Sequence, residues 1–528
     1  MGQAELLIAG LLVAVAGLGA LAQWLKVPYP IVLVVGGALF GFIPGVPVVK
    51  LDPNVVLVVF LPPLLYGAAF FANLNDIRAS LRGVTLSAIG LVLATMVAVA
   101  VVAHELIHGL PWAAAFALGA IVSPTDPLAA GIIMRRLGVP RRLVSGAEGE
   151  GLFNDATALV AYRVAVAAVV GESFSLLDAS LRFVAAATGG IAIGLAAGWV
   201  IAAVRQRIAD PQLSITVSLL SGYAAFIPAN AVGASGVLAA VTTGLYMGVR
   251  GPSILPARTR LEGFFVWDVL DFIINASLFV LVGLQLHTVV SGLAGRSAAT
   301  LAEYALAVSA VVIATRLAWL FTVPYVIRAL DRSPAQRARR LSAQARLLFA
   351  WSGMRGAVSL AAALALPLTT HSGAPFPERD LIIFLTFAVI FATLVLQGLT
   401  LPALIRRLRL DEERGEEDPE LRARWAATQA ALAQIDALAT EDWTRDDSVA
   451  RMRGLYEYRQ RRLAARAGKI PDDDGYEDRS TAYQQMLREV LAAQRQALVQ
   501  LRNEGTIPNE VMNRVIQELD LEESRLEV

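Results

Sequence analysis

Five polar side chains stand out because they interrupt runs of apolar residues. Asp126 lies between two prolines in Ser123-Pro124-Thr125-Asp126-Pro127, Glu150, Asn154 and Asp155 follow in the next apolar run, and Arg355 occupies a second interruption, Ser352-Gly353-Met354-Arg355-Gly356. A charge in the middle of a bilayer costs at least ~2.5 to 3.5 kcal/mol on insertion scales, so each is a functional candidate by default. Pro124 and Pro127 remove backbone donors and push the residues before them out of helix, which frees carbonyl oxygens near Thr125 and Asp126. Freed carbonyls within a membrane are tolerated only when buried in protein or lining a cavity. Carbonyls, a threonine hydroxyl and carboxylates are the oxygen set that a hard cation such as sodium or lithium takes. The pattern is that of a small-cation site.

Spacing divides the labour. On a helix Glu150 and Asn154 share a face, while Asp155 is turned about 100° onward and can point at the Thr125–Asp126 break. Two carboxylates buried close together repel, so one must hold a proton or pair with a cation. Arg355 is the expected partner of Glu150, which leaves Asp155 to exchange a metal ion for a proton. Burial favours the protonated form of a carboxylic acid, so protons compete with sodium for that group. Competition for one group suffices for antiport.

Other chemistry-bearing residues admit other readings. His104-Glu105-Leu106-Ile107-His108 matches the HExxH signature, in which His104 and His108 would hold zinc and Glu105 would act as base, so an intramembrane zinc metalloprotease is one alternative. The motif falls at the outer end of an apolar run just before Pro111, with no third ligand in evidence, and reads more simply as a chance match. A cation channel is the other alternative, since it too uses buried carboxylates and broken helices, though it needs no titratable carrier. Arg316, Arg163, Asp268 and Asp271 read as internal ion pairs, and His287 and His371 as surface residues of outer connections.

These residues have to be positioned by a membrane fold. The chain of 528 residues is 56% hydrophobic and 17% charged, with a mean hydropathy of +0.59. That is more apolar surface than a soluble core can bury. Residues 1–410 carry 28 Lys+Arg and 18 Asp+Glu, against 17 and 26 in residues 411–528, so a transmembrane domain over 1–410 is expected to be followed by a soluble helical tail over 411–528. The basic excess belongs to membrane loops, which argues against a nucleic-acid partner, and the absence of cysteine excludes disulfides and thiolate metal sites. No cofactor is implied.

Thirteen apolar runs have the length of a bilayer-spanning helix, near 6–23, 29–45, 54–73, 83–103, 112–133, 143–170, 183–204, 212–230, 233–249, 264–286, 301–327, 344–368 and 380–405. No Lys or Arg precedes Glu5, so the first run reads as a retained span rather than a cleaved leader. Connections on the side shared with the tail carry 18 Lys+Arg and those on the other side 4, which places the tail in the cytoplasm and the N-terminus outside. Thirteen spans resolve into two sets of six with the seventh as a link. Corresponding spans are then seven apart and oppositely inserted, an inverted repeat whose fifth members are the two interrupted helices. In the tail, Trp425–Ala439 and Thr481–Leu501 read as helices, with breaks at Ile470–Gly475 and at Gly505-Thr506-Ile507-Pro508.

Taken as a set, several segments resemble one family. Leu61-Pro62-Pro63-Leu64-Leu65-Tyr66, Ser123-Pro124-Thr125-Asp126-Pro127, Gly149-Glu150-Gly151-Leu152-Phe153-Asn154-Asp155, Gly233-Ala234-Ser235-Gly236-Val237-Leu238, Asn275 and Met354-Arg355-Gly356-Ala357-Val358-Ser359-Leu360 look like the sodium/proton exchangers of the monovalent cation:proton antiporters. The resemblance covers residues 1 to about 410. It implies an all-α fold of thirteen transmembrane helices, commonly a homodimer in the cell membrane, exchanging sodium or lithium for protons by alternating access. It further implies that Asp155 carries the transported sodium or the proton, with Asn154 beside it, Thr125 and Asp126 at the unwound crossing, and Glu150 with Arg355 as a structural ion pair. The Asn-Asp pair resembles the electroneutral branch. Gly151 stands where the family usually has a serine hydroxyl, and Gly67 near where many members carry an acid.

Overall fold

The computed structural model describes residues 3–44, 56–72, 74–171, 176–293, 295–331, 340–408, 419–466 and 476–524. The expected domain boundary at 410–411, the expected break at Ile470–Gly475, and Lys50, Arg332, Arg337 and Arg339 lie outside them. The chain forms two compact units, Met1–Glu412 and Glu413–Val528. Among the described residues regular structure is helical, apart from one isolated bridge between Thr369 and Pro375.

The first unit begins with α1 (Gln3–Leu25), α2 (Tyr29–Gly41), α3 (Leu61–Phe71) and α4 (Leu74–Thr85), which runs through a π-helical turn into α5 (Val92–Leu106). A broken helix follows, α6 (Trp112–Val122) and α7 (Pro127–Arg136), then α8 (Arg141–Val170), α9 (Leu176–Arg205), α10 (Pro211–Ala231), α11 (Gly236–Ile254), α12 (Ala257–Ser291) and α13 (Ala298–Leu330). A second broken helix, α14 (Ala343–Trp351) and α15 (Ala357–Leu364), leads to α16 (Arg379–Ala392) and, through another π-helical turn, α17 (Gly398–Leu408). Helix thus covers most of each of the thirteen apolar runs. Among the described residues eight stretches, from Arg82–Leu106 to Arg379–Leu408, are long and apolar enough to cross a membrane, and three shorter apolar helices cover Ala9–Leu25, Tyr29–Gly41 and Val58–Phe71.

Local chemistry sets the helix ends. Asp210 accepts a hydrogen bond from Leu213 N at 2.7 Å, with Pro211 at the first helical position of α10, and Ser235 accepts from Leu238 N at 3.3 Å to start α11. Gly171 closes α8 with φ +109°, a left-handed conformation that glycine adopts without a Cβ penalty.

Helices surrounded by lipid gain little from apolar burial against one another and associate through close backbone approach at small residues. Gly37 of α2 and Gly283 of α12 show this reciprocally: a Cβ on Gly37 would run into the Val280 carbonyl, and one on Gly283 into that of Val34. Gly222 and Gly244 meet the carbonyls of Pro62 and Tyr66 on α3 in the same way.

The second unit holds α18 (Pro419–Leu438), α19 (Asp446–Arg466), α20 (Tyr476–Asn503) and α21 (Asn509–Ser524). Helices α18 and α20 contain the expected Trp425–Ala439 and Thr481–Leu501 segments except Ala439, which follows α18. The turn at Gly505, φ +73°, separates α20 from α21. Arg495 of α20 pairs with Asp520 and Glu523 of α21.

The α2–α12 contact generates a prediction. Gly283→Leu overpacks it and is expected to cost about 1–3 kcal/mol. The check is the melting temperature of the purified protein in detergent, against Gly295→Leu, where a Cβ meets nothing within 4 Å.

Candidate functional site

The two broken helices meet at their breaks. Asp126 N donates to Met354 O at 2.8 Å, so the two interruptions are hydrogen-bonded to each other directly. A broken helix exposes unpaired N–H groups at one half-helix start and unpaired carbonyls at the other half-helix end, and in lipid every one requires a partner.

Charges supply them. Asp126 is the N-cap of α7, accepting from Leu128 N at 2.9 Å, and its carboxylate also lies against Gly356, the N-cap of α15, where a Cβ would collide with it. One anion therefore serves two positive helix starts. At the carboxyl ends the signs reverse. Arg355 Nε donates to Val122 O at the end of α6 (3.2 Å), and its Nη1 donates to Gly353 O. Arg316 of α13 donates to Phe349 O and Ala350 O at the end of α14 (3.2 Å each), and its side chain runs past Gly353.

This arrangement corrects the expected Glu150–Arg355 ion pair. Glu150 pairs with Arg316, and both side chains are 2% exposed. Arg355 is committed to the carbonyls of the breaks, so the guanidinium that reaches Glu150 comes from the neighbouring long helix. Thr125 Oγ1 donates to Glu150 Oε1 at 3.1 Å, and Asn154 Nδ2 donates to Thr125 Oγ1 at 2.8 Å and to Thr125 O at 3.3 Å. Asn154 thus holds the unwound threonine in place, and the Glu150–Arg316 pair holds it from the other side.

Asp155, one residue on, has no hydrogen bond or ion pair among the described residues. It lines a cavity of about 560 Å³ together with Thr125, Asp126, Gly151, Asp268, Asp271 and Asn275. Thr125, Asp126, Gly151 and Asp155 are therefore brought to one space, while Glu150, Asn154 and Arg355 stand behind it. The Arg135–Glu148 ion pair, partly exposed, belongs to the same lining.

Gly151 contributes no side-chain ligand, and the packing shows why: a Cβ there would lie 2.5 Å from Cγ and Cδ of Pro127. At Gly67 a Cβ would lie 3.0 Å from the Trp267 ring, so the indole occupies the space facing that position. Asp268 and Asp271 were expected in internal ion pairs, yet they line the cavity and no salt bridge to either is found among the described residues. Asn275 Nδ2 donates to Asp271 Oδ1 at 3.0 Å. The spacing of 268, 271 and 275 along one face of an apolar helix was the available signal.

His104 Nδ1 lies 2.7 Å from Leu110 O and its ring stacks on Trp112 at 4.1 Å. Among the described residues no group of three His, Cys, Asp or Glu side chains is placed to hold a metal ion, so the HExxH motif does not assemble a zinc site.

Comparison with known proteins finds relatives over most of the chain. The family described as sodium/hydrogen exchanger, transmembrane, matches residues 10–407. An uncharacterised Na+/H+ exchanger of Mycobacterium tuberculosis is 38% identical over 98% of this chain and 97% of its own length. A sodium, potassium, lithium and rubidium/H+ antiporter of Bacillus subtilis is 30% identical over 93% of this chain and 73% of its own, and a low-affinity Na+/H+ antiporter of Synechocystis is 32% identical over 78% and 76%. In fold, the chain is similar to the sodium proton antiporter MjNhaP1 of Methanocaldococcus jannaschii, with a TM-score of 0.59 and 19% identity over 78% of this chain and all of that one.

The revised ion pair has a measurable consequence. Arg316→Leu strands a buried carboxylate and is expected to cost about 3–5 kcal/mol, whereas replacing both partners, Arg316→Leu with Glu150→Leu, recovers much of that. Melting curves in detergent check it: a double variant no more stable than the single one would contradict the pairing.

Proposed function

The chain belongs to the sodium/hydrogen exchanger family and is a multi-pass membrane cation/proton antiporter; on that premise we propose that it exchanges one sodium or lithium ion for one proton by alternating access at Asp155. The observation that carries this reading is the contrast between neighbours. The other charges at the crossing, Asp126, Glu150, Arg316 and Arg355, are each engaged by a counter-charge or a helix end, whereas Asp155 faces the cavity from the same crossing with no hydrogen bond or ion pair among the described residues; Asp268, the other unpaired acid of the lining, is exposed and lies away from the breaks on α12.

In this scheme the cation enters past Asp268 and Asp271, whose charge raises its local concentration. It binds the Asp155 carboxylate together with oxygens of the Thr125–Asp126 break. Asn154 positions Thr125, Asp126 fixes the two helix starts, and Glu150 acts with Arg316 as the structural pair. A proton arriving at Asp155 displaces the metal ion, so the carboxylate is occupied by one or the other and never by both. The site then reorients with either occupant. The carrier is neutralised in both directions, so no net charge moves and the membrane potential, worth ~2.3 kcal/mol per charge per 100 mV, does no work on the cycle. Asn154 supports this: its amide is spent on Thr125, where a second carboxylate would add a charge.

The reading includes thirteen crossings in two inverted sets of six, the N-terminus outside and the tail in the cytoplasm. The hydrogen bond between the two breaks supports the paired arrangement. With that orientation the cavity beside Arg135 opens to the cytoplasm. Sodium figures in the names of all the relatives described above, which supports it as substrate; lithium figures in one of them, beside potassium and rubidium. The family resemblance supports a homodimer in the cell membrane.

Three outcomes are expected. Asp155→Asn inserts and melts as the parent does, but sodium-dependent proton movement in everted vesicles is abolished; near-normal exchange would remove Asp155 from the role. In the parent, half-saturating sodium rises as pH falls, because protons occupy the same carboxylate, and clamping the potential across proteoliposomes leaves the rate unchanged. A steep dependence on potential would rule out one-for-one exchange.

A further inference from the structure

A second cavity, of about 320 Å³, lies apart from the cation site. Thr125 and Asp155 do not line it; Arg142, Arg328 and Arg346 do. The acids in its lining are Glu150, held by Arg316, and Asp331, held by Arg82. No salt bridge to Arg142, Arg328 or Arg346 is found among the described residues.

Arg346 carries the argument. It is 5% exposed, its guanidinium lies over the rings of Phe321 and Tyr325 at 5.3 and 5.0 Å, and Nη2 donates to the Tyr325 hydroxyl at 3.2 Å. Among the described residues its buried Nε and Nη1 find no hydrogen-bond acceptor, nor does the buried Nε of Arg328, which lies 5.0 Å over the Tyr325 ring. Aromatic stacking orients a guanidinium but supplies no acceptor, and a buried donor left unmet is destabilising. What completes the cluster is an acceptor-rich anion with several oxygens, and guanidinium forks match phosphate bidentately. The remaining walls, Trp319, Leu320, Val323 and Ile327, are apolar and suit an attached hydrocarbon.

We propose that this cavity is a phosphate-binding site, with Arg346 as its buried anchor and Arg328 and Arg142 completing the cradle. The phosphate is that of an anionic phospholipid headgroup or a free phosphate ion. The site is distinct from the cation path and stands independently of the substrate reading. It is built partly on α13 and α14, the helices joined by Arg316, so occupancy braces the second break from behind.

The full chain in phosphatidylcholine nanodiscs tests it in two arms: equilibrium dialysis with radiolabelled inorganic phosphate, and native mass spectrometry of phosphatidylglycerol retained after exchange. Saturable binding of one probe per chain is expected, weakened at least about tenfold by Arg346→Gln, or ~1.4 kcal/mol. Binding of inorganic phosphate identifies the free ion as an occupant, and retention of phosphatidylglycerol alone identifies the headgroup. Should Arg346→Gln not fold, Arg328→Gln and Arg142→Gln carry the comparison, each expected to weaken binding several-fold. Absence of saturable binding of either probe to the parent, or unchanged binding in the folded variants, overturns the site.

Discussion

A helix interrupted inside a bilayer leaves backbone donors and acceptors that water cannot reach, and this constraint organises the whole crossing. Two interruptions create four such ends. Asp126 caps the start of α7 and sets its carboxylate against Gly356 at the start of α15, Arg355 answers the end of α6, and Arg316 answers the end of α14 while also neutralising Glu150. Three charges thereby balance four partial ones and one full one. Only with those ends satisfied can a further carboxylate stand in the same neighbourhood without being drawn into the scaffold.

The functional distinction between Asn154 and Asp155 follows from that balance. They are adjacent in sequence, but a helix turns them about 100° apart, so one faces the break's backbone and the other the cavity. The amide can donate to Thr125 and does; a carboxylate could not. Asp155 leaves its oxygens facing the cavity, without a partner among the described residues.

Much of this was legible in the sequence, because charged and proline residues inside apolar runs are costly and therefore informative. Asp126, Glu150, Asn154 and Asp155 declared themselves that way, and the two interruptions pointed to the crossing. The partner of Glu150 was not legible. Arg316 and Arg355 both sit in apolar surroundings, and which of them reaches Glu150 depends on how α13 leans on the end of α14, which no spacing encodes. Asp268 and Asp271 were expected to have a cation nearby, and instead both border the cavity, Asp271 held by the Asn275 amide and Asp268 exposed. The absent hydroxyl at Gly151 looked like a missing ligand and proved to be a matter of room.

That last position couples two properties usually adjusted separately. Gly151 lets the backbone of α8 rest directly on the ring of Pro127, so the helix bearing Asp155 and the kink at Thr125–Asp126 abut without a spacer. Any side chain inserted there would act as a wedge between the two helices. In the proposed exchange, the separation of Asp155 from the oxygens of the break is thus set by the same interatomic clearance that packs α8 on Pro127.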